Sequence, residues 1–147
     1  TLPMSERRLF ILDTNVLIAA FIAHGTCSEL LEYCVCHHEV VLSAAILDEL
    51  FDVLTRKFKF LPDDARQVVH LLKSRVKIVA PKPLLKPVCR DPDDDQILAA
   101  ALSAGCHAII SGDKDLTDLG RVEGIDIMTP SEFWEFDAVR PPEPLNP

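Results

Sequence analysis

Acidic residues that follow short apolar runs are the side chains of this sequence best suited to chemistry. Asp13 follows the run at residues 8–12 (RLFIL), and Asp113 follows the run at residues 108–111 after a single glycine. If both runs are strands of one parallel sheet, both carboxylates lie at the edge formed by the carboxyl ends of the strands, where ligands bind. A helix N-cap is the alternative role for each, because aspartate is favoured at that position.

A third group of acids begins a predicted helix. Residues 91–95 (DPDDD) hold four acids in five positions, with Asp91 as the N-cap and Pro92 at the first helical position. The helix dipole favours acids here, but one or two would satisfy it. At about 100° per residue, Asp95 falls at the edge of the apolar stripe of this helix and Asp94 falls on it. The spacing therefore leaves open which of the two points inward.

Glu49 lies in a predicted helix over residues 44–58, near the border of its apolar face. A solvated helix face is the simpler interpretation of this residue taken alone. Converging carboxylates repel one another, and a divalent cation removes that repulsion. Oxygen ligands of this kind select Mg²⁺ or Mn²⁺, which can orient a phosphate and activate a water molecule. The acids together indicate metal-dependent phosphodiester hydrolysis.

The elements that must position these acids alternate along the chain. Short apolar runs predict five strands, at residues 8–12, 40–42, 76–80, 108–111 and 125–128. Helical patterns separate them, which predicts a single α/β domain with a central parallel sheet of about four to five strands flanked by helices. We expect this domain to cover residues 8–136. Residues 1–7 are interpreted as a tag remnant and N-terminal lead, and residues 137–147 as a Pro-rich flexible tail.

The net charge of −8 is unevenly distributed. Residues 56–90 carry +8, and the rest of the chain carries −16. This asymmetry is consistent with a phosphate-binding rim beside an acidic, cation-loaded centre, although a solvated basic surface explains it equally well. The basic residues predicted to contact RNA are Arg56, Lys57, Lys59, Lys86, Arg90 and Lys114.

The five cysteines are odd in number and irregularly spaced, which predicts reduced thiols in a cytoplasmic protein. No apolar run reaches the roughly 20 residues of a membrane helix, and no signal peptide is recognisable. A zinc site is conceivable where cysteine and histidine cluster, but no second pair of ligands follows at a usual interval. The residues of that cluster are Cys34, Cys36, His37 and His38.

In four segments the sequence resembles the PIN-domain ribonucleases, in particular the toxin-like branch (VapC-type) of toxin–antitoxin systems. The segments are residues 12–17 (LDTNVL), 43–54, 89–101 and 110–116 (ISGDKDL). The resemblance runs from about residue 8 to residue 136. It implies a Mg²⁺- or Mn²⁺-dependent endonuclease on single-stranded RNA, a homodimer, and inhibition by a small antitoxin protein.

Carried onto this sequence, the resemblance implies specific site residues. The acidic tetrad, catalytic and metal-binding, falls on Asp13, Glu49, Asp95 and Asp113. It implies Asp115 as an accessory ligand and Asp94 as a residue that supports or shares the role of Asp95. Three small polar residues would steady the carboxylates or a metal-bound water, namely Thr14, Asn15 and Ser111.

Two other functions were weighed against this one. A PIN-fold scaffold that binds RNA or a partner without cutting is the main alternative, although the intact acids argue against it. A phosphatase of the haloacid dehalogenase type also places an aspartate after its first strand. That mechanism requires a second aspartate two residues later as general acid, and this chain has Asn15 there.

Overall fold

Short apolar runs and helical patterns alternate along the chain, and the computed structural model shows how they assemble. It describes residues 7–23 and 25–139, without the side chains of residues 138 and 139. Within these residues the strands are β1 (Leu9–Leu12), β2 (Glu39–Ser43), β3 (Lys77–Val79), β4 (Ala108–Ile110), β5 (Arg121–Val122) and β6 (Ile125–Met128). The helices are α1 (Thr14–Ile22), α2 (Thr26–His37), α3 (Ala44–Arg56), α4 (Pro62–Arg75), α5 (Pro92–Ala104), α6 (Lys114–Thr117) and α7 (Pro130–Val139).

The strands form one sheet in the order β3-β2-β1-β4-β6-β5. All neighbouring pairs are parallel except β5 and β6. The early strand β2 lies on one side of β1 and the late strand β4 lies on the other. A parallel sheet whose strand order reverses in this way leaves a crevice at the carboxyl ends of the central strands, which is the usual place for a ligand. Here that crevice lies beyond Leu12 and Ile110, which are paired across the sheet.

Helices cover both faces of the central strands, so these strands are apolar throughout instead of alternating. Phe10, Ile11 and Leu12 of β1 are completely buried, as is the whole of β4. Helix α5 packs on β1 and β2. No single helix in the described ranges is long and apolar enough to cross a membrane; only α1 and α2 together, as a bent pair, reach the necessary length and composition.

The predicted α/β fold with a central parallel sheet is confirmed, and the five predicted strands are all present. The sixth strand, β5, was not predicted. It pairs with β6 through a two-residue turn in which Glu123 and Gly124 both have positive φ, at 47° and 87°. Such turns are usually signalled by Asn-Gly or Asp-Gly, and Glu-Gly carries a weaker signal.

The C-terminal boundary expected for the domain is at residue 136. It falls inside α7, which continues to Val139, and Asp137 is buried with 5% of its surface exposed. The remainder of the predicted tail, residues 140–147, and residues 1–6 of the predicted lead lie outside the described residues.

Candidate active site

A single serine connects the carboxyl ends of β1 and β4 through two hydrogen bonds. Ser111, directly after β4, is completely buried, and its Oγ donates to Asp13 Oδ2 over 2.7 Å. The same Oγ accepts from the backbone N–H of Asp113 over 2.9 Å. Asp13 itself is 5% exposed, and its backbone N–H donates to the carbonyl of Ile110. The two strand-end acids predicted to converge are thus linked through one hydroxyl group.

Asp94 approaches this pair from the first turn of α5. Asp91 is the N-cap of that helix, since its Oδ1 accepts from the backbone N–H of Asp93 over 2.9 Å, so Asp94 is not needed for capping. Asp94 is 5% exposed, and its Oδ2 is buried without a hydrogen-bond partner among the described residues. Burial, followed by the charges of Asp113 and Asp13, raises the pKa of Asp94 to about 7. Burial likewise raises the pKa of Asp13.

Asp94, Asp113 and Asp115 can present one carboxylate oxygen each with all three within 4.8 Å of one another. Asp113 caps the short helix α6 by accepting from the backbone N–H of Asp115 over 2.9 Å. A buried, unpartnered carboxylate oxygen surrounded by like charges is unfavourable unless a cation joins it. Because the donors are all hard oxygens, the group suits Mg²⁺ or Mn²⁺ and not a thiophilic metal.

Asp95, which the resemblance placed in the tetrad, lies elsewhere. Its Oδ1 accepts from the backbone N–H groups of Cys89, over 2.8 Å, and Val88, over 3.2 Å. It therefore holds the loop before α5, and the structure brings Asp94 to the acidic cluster in its place. One residue of displacement turns a side chain by about 100° around a helix. The capping by Asp91, which fixes where α5 starts, decides which acid faces inward.

Glu49 lies at the margin of the cluster. Its Oε2 accepts from Thr14 Oγ1 over 3.1 Å, so a predicted supporting residue orients a predicted acid. Burial is the main cause that raises the pKa of Glu49, and the neighbouring Asp93 and Asp13 add to it. Thr14 is buried, whereas Asn15, the other polar residue after β1, is exposed.

The acidic cluster consists of Asp13, Asp94, Asp113 and Asp115. Among the described residues, the only ion pair that it forms joins Arg90 Nη2 to Asp115 Oδ1, over 2.6 Å. The other basic residues predicted to contact RNA are exposed and, within the described ranges, form no ion pair with these acids: Lys57, Lys59, Lys86 and Lys114, and also Arg56, which pairs with Asp52. The cluster therefore carries more negative charge than its surroundings neutralise.

A third buried carboxylate, Asp137 in α7, was missed because it follows the boundary predicted for the domain. Its Oδ1 lies 3.0 Å from Arg8 Nη1 and 3.2 Å from His38 Nε2, and its Oδ2 accepts from the hydroxyl of Tyr33. Burial would raise the pKa of Asp137, but His38, Tyr33 and Arg8 together hold it below its ordinary value. His38, from the cluster considered for zinc, thus faces a carboxylate, and its Nδ1 accepts from the backbone N–H of Arg8.

The family profile of the PIN domain matches residues 10–115. The match spans β1, the acids and the start of α6, and the chain therefore belongs to the PIN domain family. No match was found among curated proteins.

Two solved structures share the fold. One is the structure of VapBC2 from Rickettsia felis bound to a DNA fragment from their promoter, with a TM-score of 0.60, 14% identity, and coverage of 82% of this chain and 98% of the matched one. The other is VapBC-1 from nontypeable Haemophilus influenzae, with a TM-score of 0.59, 17% identity, and coverage of 84% and 98%. At these identities the likeness concerns the fold.

Proposed function

We propose that this protein is a Mg²⁺- or Mn²⁺-dependent ribonuclease that cuts single-stranded RNA internally. The observation that carries the proposal is the buried Oδ2 of Asp94, which has no protein partner among the described residues and lies beside Asp113 and Asp13. A carboxylate in that position is unfavourable in isolation and favourable as a cation ligand. A position near the carboxyl ends of the central strands, where ligands usually bind, supports this role for Asp94.

In this proposal Asp94, Asp113 and Asp115, whose carboxylate oxygens come within 4.8 Å of one another, would hold the metal together with Asp13, and Glu49 lies beside them. When bound, the cation orients the scissile phosphate, activates a water molecule and stabilises the leaving oxygen. Ser111 keeps the carboxylate of Asp13 directed into the crevice through its 2.7 Å hydrogen bond. Thr14 does the same for Glu49, and this fixed geometry is what preorganised metal ligands require.

The proposed substrate follows from the charge distribution. Residues 56–90 carry +8, which would attract an anionic backbone, and Arg90 of this segment contacts Asp115 of the acidic cluster. The exposed residues that we assign to phosphate contacts are Arg56, Lys57, Lys59, Lys86, Arg90 and Lys114.

We extend the proposal to partners. The two solved structures described above are both VapBC assemblies, and the sequence resembles the toxin-like PIN branch. This supports a toxin inhibited by a small antitoxin protein, and a homodimer as the active form. Co-expression with the product of the adjacent gene, followed by size-exclusion chromatography with light scattering, tests both. A monomer that binds no such product would contradict this part of the proposal.

The enzymatic proposal is tested by incubating the protein with single-stranded RNA in Mn²⁺, in EDTA, and with the Asp13→Asn variant. Cleavage is expected in Mn²⁺ alone and is expected to vanish under the other two conditions. Asp63→Asn, an exposed aspartate on α4, is the matched control and should cut normally. Cleavage that survives chelation, or an active Asp13→Asn, rules the mechanism out. RNA binding without any cleavage would favour the scaffold.

A further inference from the structure

We propose that Arg90 binds the phosphate next to the scissile bond and that Asp95 acts as a positioning residue that holds Arg90 in place. This inference rests on the proposed ribonuclease function and adds a specific substrate contact to it. It also gives a role to Asp95, the acid of residues 91–95 that the structure turns away from the cluster.

The first step is the anchoring of the loop. Asp95 Oδ1 accepts two hydrogen bonds, from the backbone N–H groups of Cys89 at 2.8 Å and Val88 at 3.2 Å. Residues 88–90 belong to no helix or strand, and Val88 and Arg90 are exposed. A charge-assisted pair of hydrogen bonds and the packing of Cys89 against the core therefore hold this loop.

The second step is the location of Arg90. Its Nη2 donates to Asp115 Oδ1 over 2.6 Å, yet the side chain is 84% exposed. Asp115 belongs to the group of carboxylates that fits a cation, so the guanidinium lies directly beside that group. Across the described residues, no other basic side chain forms an ion pair with these acids.

The third step is chemical. A phosphodiester that reaches a metal held by Asp94 and Asp113 passes next to Arg90, and a guanidinium offers a planar pair of donors that matches two phosphate oxygens. A surface ion pair with Asp115 is weak, because both partners are substantially exposed. Exchanging that carboxylate for a phosphate therefore costs little. Arg90 is thus held near the reaction and available to the substrate.

The test measures the binding of a fluorescein-labelled single-stranded RNA of mixed sequence by anisotropy in EDTA, where no cleavage occurs. Arg90→Gln should weaken binding about tenfold, the usual value of a hydrogen-bonded charge contact. It should also reduce the salt dependence by the equivalent of about one phosphate contact. Arg66→Gln is the matched control, because Arg66 is also an exposed arginine paired with an aspartate, and it should lose far less.

The role of Asp95 is tested by two substitutions and a readout of Mn²⁺ binding, the loss of free Mn²⁺ signal in electron paramagnetic resonance. Asp95→Asn keeps an oxygen that can accept both backbone hydrogen bonds, so RNA and Mn²⁺ affinities should both be retained. Asp95→Ala should lose RNA affinity as Arg90→Gln does and still bind Mn²⁺. In the double variant Arg90→Gln/Asp95→Ala the loss should not exceed that of Arg90→Gln alone, because both changes act through one contact.

Three results would overturn the inference. They are an Arg90→Gln variant that binds RNA as Arg66→Gln does, an Asp95→Asn variant that binds no Mn²⁺, and a double variant in which the two losses of RNA affinity add. If Asp95→Ala does not fold, Arg90→Gln and Asp95→Asn still decide the question. If only the role of Arg90 and Asp95 is wrong, the parent protein still cuts RNA in Mn²⁺. If the proposed function is wrong, the parent protein does not cut RNA at all.

Discussion

Asp94 and Asp137 are equally buried, at 5% exposed each, but their surroundings are opposite. Asp137 is surrounded by Arg8, His38 and Tyr33, and its pKa is lowered. Asp94 is surrounded by other carboxylates, and its pKa is raised to about 7. Of these two carboxylates, Asp137 has its charge compensated by other side chains and Asp94 does not.

The difference separates a carboxylate with a structural role from one that we propose as a metal ligand. Asp137 ties α7 to β1 through Arg8 and to the end of α2 through His38, and nothing further is needed to stabilise it. Asp94 is unfavourable in the protein alone, which is the expected state of a group that awaits a cation. Substitutions at the two positions should therefore have opposite consequences for stability and activity.

The largest effect is expected at the compensated carboxylate. Asp137→Ala should destabilise the protein by about 3–5 kcal/mol, because it removes the buried carboxylate that pairs with His38 and with the partly buried Arg8. Chemical denaturation measures this loss. Asp126→Asn, which removes only the exposed partner of Arg121, is the control and should cost about 1 kcal/mol or less. Equal losses in the free energy of unfolding for the two variants would contradict a special structural role for Asp137.

At the uncompensated carboxylate the expected loss is in activity. Asp94→Asn should reduce Mn²⁺-dependent RNA cleavage by more than about 100-fold, since even the partners of metal ligands are typically worth 10- to 100-fold. Single-turnover assays with equal amounts of folded protein measure it. The adjacent Asp95→Asn, matched in chemistry and helix position, should retain most of the activity. Reversed outcomes would restore Asp95 to the metal site.

The same substitution should stabilise the metal-free protein. The folded pKa of Asp94 lies above its unfolded value, so its favourable contribution is complete below pH 4 and disappears as the pH rises through about 7. In EDTA at about pH 8, Asp94→Asn should therefore gain roughly 2 kcal/mol, since each unit of pKa shift is about 1.4 kcal/mol and the coupling to Asp113 reduces the sum. At about pH 4 the gain should vanish. A gain independent of pH would point to packing instead of charge.

The smallest effect is expected at Ser111. Ser111→Ala removes the hydroxyl group that links Asp13 to Asp113 and should lower Mn²⁺ affinity about tenfold, as for other partners of metal ligands. Ser111→Thr keeps the hydroxyl and should restore most of that affinity. Isothermal titration calorimetry distinguishes the two. If Ser111→Thr binds no better than Ser111→Ala, the hydroxyl does not act as proposed.

Much of the fold followed from the sequence because apolar runs of strand length alternate with helical patterns. That alternation requires a parallel sheet, and a parallel sheet brings the acids after its strands to one edge. The positions of Asp13 and Asp113 could therefore be predicted by a physical argument. Ser111 entered only through the resemblance, and its hydrogen bonds depend on how β1 and β4 pair.

The choice between Asp94 and Asp95 could not be predicted, because neighbouring helical residues both lie near the apolar stripe. It is decided by the N-cap of Asp91 and by the backbone donors of residues 88 and 89. The contact of Asp137 with Arg8 was also beyond reach, since it joins residues 129 apart and no periodicity records such a pairing.

The hydrogen bond between Ser111 and Asp13 joins residues that are 98 positions apart in the sequence, and this separation affects when the site can form during translation. A nascent chain that has left the ribosome only as far as α4 contains Asp13 and Glu49 but neither Asp94 nor Asp113. Contacts between distant segments form late, because the intervening chain must be ordered first. The centre that we propose to cut RNA is therefore completed only when most of the polypeptide has been made. Until then, the message and the ribosome that produce this protein are not exposed to it.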